Sequence, residues 1–88
     1  MKIQRRHSLG LEEARRRADE IAEHLGRQFT LTSHWQGDQL LVSGNGVNGY
    51  LEVTGDSVEL EVRLGLALKL MERPIRSAIE NTIDEHLV

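Results

Sequence analysis

Cysteine is absent from this 88-residue chain. No disulfide can staple the fold and no thiolate can bind a metal, which fits a reducing compartment. The chain has one Trp, one Tyr and one Phe. With so few rings for base stacking and a net charge of -3, nucleic acid is not an expected partner. No apolar run approaches the roughly 20 residues that span a bilayer. The opening "MKIQRRH" is basic, but no apolar core follows it as in a secretory signal. A cytoplasmic protein is the expectation. A single proline, Pro74, leaves long stretches open to regular structure.

What is present fits one domain with a single modest core, spanning residues 1–88. The charge is uneven. Residues 1–27 carry seven Lys/Arg against five Asp/Glu, whereas residues 28–88 carry four against nine. Leu11, Ala14, Ala18, Ile21 and Leu25 recur at spacings of three and four, the apolar stripe of an α-helix over about 11–25. Glu12–Arg16, Glu13–Arg17, Arg15–Asp19 and Arg16–Glu20 are candidate i,i+4 ion pairs on its wet side. Gly10 suits its N-cap and Gly26 its end.

Residues 2–7 read as a short first strand. After the helix, apolar and polar residues alternate in four runs: 29–35, 39–44, 47–54 and 57–64. "GD" at 37–38, "NG" at 45–46 and "GD" at 55–56 separate them as tight turns. Such a meander has one apolar and one wet face. Ile75, Ala78, Ile79, Ile83 and Leu87 mark a second amphipathic helix over about 73–87, with Pro74 in its first turn.

The order is β-α-β-β-β-β-α. The expected fold is α+β, a two-layer sandwich resembling a reduced helix-grip domain. Its five-stranded antiparallel sheet has spatial order 1-5-4-3-2 and carries both helices on one face. In that order Arg5 and Arg6 approach Glu59 and Glu61. Gly49 falls on the inward face, where a helix backbone passing close would require a glycine.

With these elements placed, a resemblance emerges. "RRHSLGLEEARRRADEIAEHL" (5–25), the Trp35-x-Gly37-Asp38 turn, Gly46-Val47-x-Gly49, the Glu61–Gly65 strand end and a closing helix follow in order along the chain. This succession resembles a family of small bacterial polyhydroxyalkanoic acid system proteins. The resemblance implies association with storage polyester, at the granule surface or with granule proteins. It supplies no catalytic residue. The β-rich pattern differs from the helical phasins that coat such granules.

Chemistry-bearing constellations are sparse. His7, His24, His34 and His86 do not recur at i,i+3 or i,i+4, so no metal site is expected. His7 and Ser8 are adjacent, which opposes a nucleophile–base pair, and hydrogen bonds that tie the turn after the first strand are the expected role. No G-x-S-x-G elbow occurs. "SGNGVNG" joins two strands and opens no helix, which argues against a phosphate cradle. Neither an enzyme nor a cofactor is expected.

The stretch "VRLGLALKLMERP" (62–74) stands out. Every even position from Val58 to Leu70 is Val or Leu. A strand ending near Leu64 leaves Leu66, Leu68, Leu70 and Met71 in a linker, where side chains normally meet water. Three readings stay open: a lid on the core, a self-association surface giving a homodimer, or a contact for a lipophilic surface or ligand. Arg5, Arg6, Arg15 and Arg16 are candidate orienting cations. The expected function is a non-enzymatic binding module using this apolar patch. The competing class is a carrier of an acyl or hydroxyacyl chain between helices and sheet.

Overall fold

The computed structural model describes residues 1–87. In chain order the elements are β1 (Lys2–Arg6), α1 (Leu11–Phe29), β2 (Thr32–Gln36), β3 (Gln39–Gly44), β4 (Val47–Val53), β5 (Ser57–Leu64), α2 (Leu66–Lys69) and α3 (Glu72–Leu87). The five strands form one antiparallel sheet in the order β1-β5-β4-β3-β2, as the pattern requires. The single turn α2 is the element that alternation did not announce.

One face of the sheet is apolar and covered. Ile3, Leu40, Val42, Leu51, Val53, Val58, Leu60 and Val62 from the strands meet Ala14, Ala18, Ile21, Ala22 and Leu25 of α1, and Ile75, Ile79 and Ile83 of α3. Full burial of each large aliphatic side chain contributes about 1.5–3 kcal/mol, so this cluster is the main stabilising term. Thr82, also buried on α3, satisfies its hydroxyl by donating to the Ala78 carbonyl at 3.0 Å. Leu11 opens the expected stripe but is 46% exposed, so the buried stripe begins at Ala14.

The turns follow their chemistry. Asn45 (φ 48°) and Gly46 (φ 80°) both take the positive φ that a tight I′ hairpin demands. Gly10 caps α1 through its carbonyl, which accepts the Ala14 N–H at 3.0 Å.

Gly26 does not end α1. The helix runs to Phe29 and closes on Thr30 in the left-handed conformation. Phe29 is thus helical, and β2 starts at Thr32 rather than at 29. Gly26 serves a different need. The chain turns back over the helix there, Leu31 donates its N–H to the Gly26 carbonyl at 3.0 Å, and a Cβ on Gly26 would approach the Leu31 oxygen to 3.0 Å.

Gly49 also differs from expectation. The backbone beside it is that of β5, at Glu61 and Val62, and not a helix. The β1 arginines separate as strand periodicity dictates. Arg5 turns to the helix-bearing face and bridges Glu80 (3.0 Å) and Asp84 (2.7 Å) of α3. Arg6 turns to the wet face and reaches Asp56 at 3.5 Å. Glu59 is answered by Lys2 at 3.6 Å and by the Gln4 amide at 2.6 Å, so neither arginine serves it.

Candidate functional site

Beyond Leu64 the chain leaves β5 and winds into α2. Gly65 sits at the junction in an extended conformation and donates its N–H to the Gly46 carbonyl at 2.7 Å, pinning the turn to the β3–β4 hairpin. Leu68 and Lys69 then donate to the Gly65 carbonyl at 3.0 and 3.1 Å, and Met71 to the Leu68 carbonyl at 2.9 Å. Met71 in turn accepts the Ile75 N–H at 3.1 Å, which starts α3. The segment is a hydrogen-bonded corner rather than a slack linker.

Winding redistributes the leucines. In a strand Leu64, Leu66, Leu68 and Leu70 would share one face. At about 100° per residue, positions 66 and 70 stay together and position 68 swings to the opposite side. The exposures follow this rule. Leu68 is half-buried and packs against the core, with its Cδ1 3.5 Å from where a Cβ on Gly46 would lie. Leu66 is 85% and Leu70 92% exposed, and Met71 is 54% exposed. Of the four expected contact residues, one is an anchor and three form an uncovered apolar knuckle.

The four candidate orienting arginines do not join this knuckle. Arg6 pairs in register with Ser57, the first residue of β5, whereas the knuckle follows its last. Arg15 lies at that same far end, because it reaches Asp38 at 3.8 Å and the Asp38 carbonyl accepts the Val53 N–H. Arg15 also covers the Trp35 ring at 4.0 Å, and the indole N–H donates to Asp19 at 2.8 Å. Arg16 is held by Glu13 and, at 3.4 Å, by Glu20. Arg17 joins Glu13 at 2.7 Å and donates to the His86 carbonyl, linking α1 to the end of α3. Hydrogen bonds from Arg16 and Arg17 hold the Glu13 carboxyl far below the usual carboxylate range, at about 2. The hydrogen bonds that Arg5 donates to Asp84 and Glu80 raise its guanidinium further. These cations serve the fold.

The cations beside the knuckle are Arg63, Lys69 and Arg73, all exposed. Among the described residues none of the three has an ion-pair partner. Sequence reasoning passed over them because they are spread out, whereas the contiguous arginines at 5–6 and 15–17 draw the eye.

The histidines are tied into the scaffold. The His7 imidazole accepts the Leu9 N–H on Nδ1 at 3.1 Å and meets the Thr54 carbonyl through Nε2 at 3.1 Å. That pairing requires the Nε2–H tautomer. His7 thus secures the turn before α1, while Ser8 is exposed. His24 and His86 meet edge to face with centroids 5.8 Å apart, a contact between α1 and α3 that no sequence spacing reveals. Among the described residues no three His, Asp or Glu side chains converge as metal ligands do.

Three of the concavities on the surface of the described residues are well formed. The first, about 430 Å³, lies on strands β4 and β5 and is lined by Asn48, Gly49, Tyr50, Glu61 and Arg63. The others lie along β1–β5 and at the start of α1. None of these three opens between the helices and the sheet. Among the described residues no helix is long and apolar enough to cross a membrane.

Comparison with known proteins adds a family. No curated protein and no solved structure matches the chain significantly. The family model described as Putative polyhydroxyalkanoic acid system protein matches residues 1–87, which includes every strand, both long helices and the α2 corner. The chain belongs to that family.

Proposed function

We propose that this chain is a cytoplasmic, non-enzymatic accessory module of the polyhydroxyalkanoate system, and that it works by pressing its α2 knuckle onto the surface of the storage granule. The observation that carries this reading is the exposure of Leu66, Leu70 and Met71 on a corner pinned by backbone hydrogen bonds. An exposed apolar cluster on a small monomer marks a contact surface. Covering both leucines contributes about 3–6 kcal/mol before the costs of association. Family membership supports the polyhydroxyalkanoate system as the setting of this contact.

A carrier of an acyl chain has less support. It needs a chamber between helices and sheet. The concavities described above lie elsewhere, and the space between the layers holds the buried side chains of α1, α3 and the strands.

The test is co-sedimentation with isolated polyester granules. Wild-type protein is expected in the granule fraction. The double variant Leu66→Glu, Leu70→Glu is expected in the supernatant, with its circular dichroism and melting curve unchanged. Retention of that folded variant on granules at the wild-type level refutes the reading.

A further inference from the structure

We propose that the α2 corner docks on an anionic lipid surface, with Leu66, Leu70 and Met71 entering the acyl boundary and Arg63, Lys69 and Arg73 meeting the headgroup phosphates. This rests on the surface-docking reading above and adds the chemistry of the surface.

Residues 28–88 hold only four Lys/Arg, and all four fall between positions 63 and 76. One of them, Arg76, is spent on Glu80 at 3.2 Å. The other three stand on the successive elements that meet at the corner, Arg63 near the end of β5, Lys69 in α2 and Arg73 in the first turn of α3, without ion-pair partners among the described residues, and Glu72 is the one acid in that stretch. A chain with net charge -3 thus concentrates its free cations around its most exposed leucines.

An acidic protein is repelled by an anionic surface in most orientations and attracted in this one, so the rim sets the angle of approach. The combination is that of interfacial segments, in which apolar side chains enter the headgroup boundary and Lys/Arg stay at phosphate depth. The stems of Arg63, Lys69 and Arg73 are long enough to lie along the apolar side chains while their charges remain in water.

A second copy of the chain fits the corner less well. A twofold contact places the same patch against itself, so three unpaired cations would face three more across a dry centre. A neutral apolar surface leaves the cationic rim without a role.

The experiment is flotation of the full chain with vesicles of phosphatidylcholine alone and of phosphatidylcholine mixed with phosphatidylglycerol, at low and high salt. Each cation near an anionic surface is worth roughly a fivefold change in binding. Neutralising all three in Arg63→Ser, Lys69→Ser, Arg73→Ser is therefore expected to weaken binding to the mixed vesicles by about a hundredfold. High salt is expected to act in the same direction. Leu66→Ser, Leu70→Ser is expected to abolish flotation while circular dichroism stays that of the wild type.

Equal binding to both vesicle types, unchanged binding of the triple variant, or no binding to mixed vesicles overturns the proposal. So does a stable dimer in sedimentation equilibrium that the leucine variant dissolves. Granule association without vesicle binding overturns this inference and leaves the functional reading standing. Vesicle binding without granule association does the reverse.

Discussion

A Cβ placed on Gly49 would run into the carbonyl oxygen of Glu61 on the neighbouring strand and lie 3.0 Å from the Val62 Cα. The register sets Gly49 opposite Val62 in the middle of the sheet, so β4 and β5 close on each other where no side chain fits between them. The obstacle is backbone, which cannot rotate away as a side chain tip can. Gly49→Ala is therefore expected to destabilise the fold by about 3 kcal/mol in urea denaturation, at the upper end of overpacking costs. Gly55, where an added Cβ meets open space, is the control, and Gly55→Ala is expected to stay within about 0.5 kcal/mol of wild type.

The α2 corner predicts opposite outcomes for neighbouring leucines. Leu68→Ala removes the anchor over Gly46 and is expected to cost about 1–2 kcal/mol, less than a fully buried leucine because the side chain is half-exposed. Leu66→Ser and Leu70→Ser remove side chains that touch mostly water, and each is expected to shift stability by no more than about 0.5 kcal/mol. Thermal melts of the three single variants check the split. A comparable loss in all three would mean that the corner is an ordinary lid on the core.

Acid stability depends on Glu13. Its folded-state carboxyl titrates at about 2, well below the ordinary value of 4.5, because Arg16 and Arg17 donate to it. A depressed value means that the stabilisation is fully present above pH 4.5 and fades as the pH falls toward 2. Glu13→Gln removes this dependence. The difference in melting temperature between wild type and variant is expected to be largest above pH 5 and to shrink below about pH 4. A difference that stays constant from pH 7 to pH 2 contradicts this account.

Trp35 is the chain's one tryptophan, so its fluorescence reports a single place. Arg15 covers its ring and Asp19 accepts its indole N–H, which together fasten the edge strand β2 to α1. Arg15→Ala is expected to cost about 0.5–1 kcal/mol and to shift the emission, by exposing the ring face. Asp19→Ala leaves the indole N–H to water and is expected to change the emission with a smaller loss of stability. Unaltered emission in both variants would show that the ring is not held in this way in solution.

Much of this fold is legible along the chain because the signals are local. The β3–β4 hairpin follows from Asn45-Gly46, whose residues adopt positive φ readily, and from the alternation on both sides of it. The long helices follow from apolar spacing, since a stripe of period 3.6 has to meet the apolar side of a strand meander. Two of the four i,i+4 ion pairs anticipated on α1 are made, Glu13–Arg17 and Arg16–Glu20. The third, Arg15–Asp19, gives way to Trp35, which lies between the two side chains, and a partner from β2 is invisible to helical spacing.

The candidate site shows where local signals end. Alternation from Val58 to Leu70 is real, but it cannot say whether the chain still travels as a strand after Leu64. Gly65, bonded to Gly46 from a distant hairpin, changes the period from two to 3.6 and thereby parts Leu68 from Leu66 and Leu70. The cations escape notice for a related reason, because Arg63, Lys69 and Arg73 stand on three different elements, β5, α2 and α3, which the corner brings into succession.

The sequence by itself determined which segments become strands and helices, which side of each is apolar, and the family to which the chain belongs, because each of these is written in neighbouring residues. Only the tertiary structure decided which arginines are bound into the scaffold and which are free, why Gly49 must lack a side chain, and which three large apolar residues of the corner face outward. Those outcomes depend on backbones and charges distant in sequence, whose meeting is set by strand order and by the corner at Gly65.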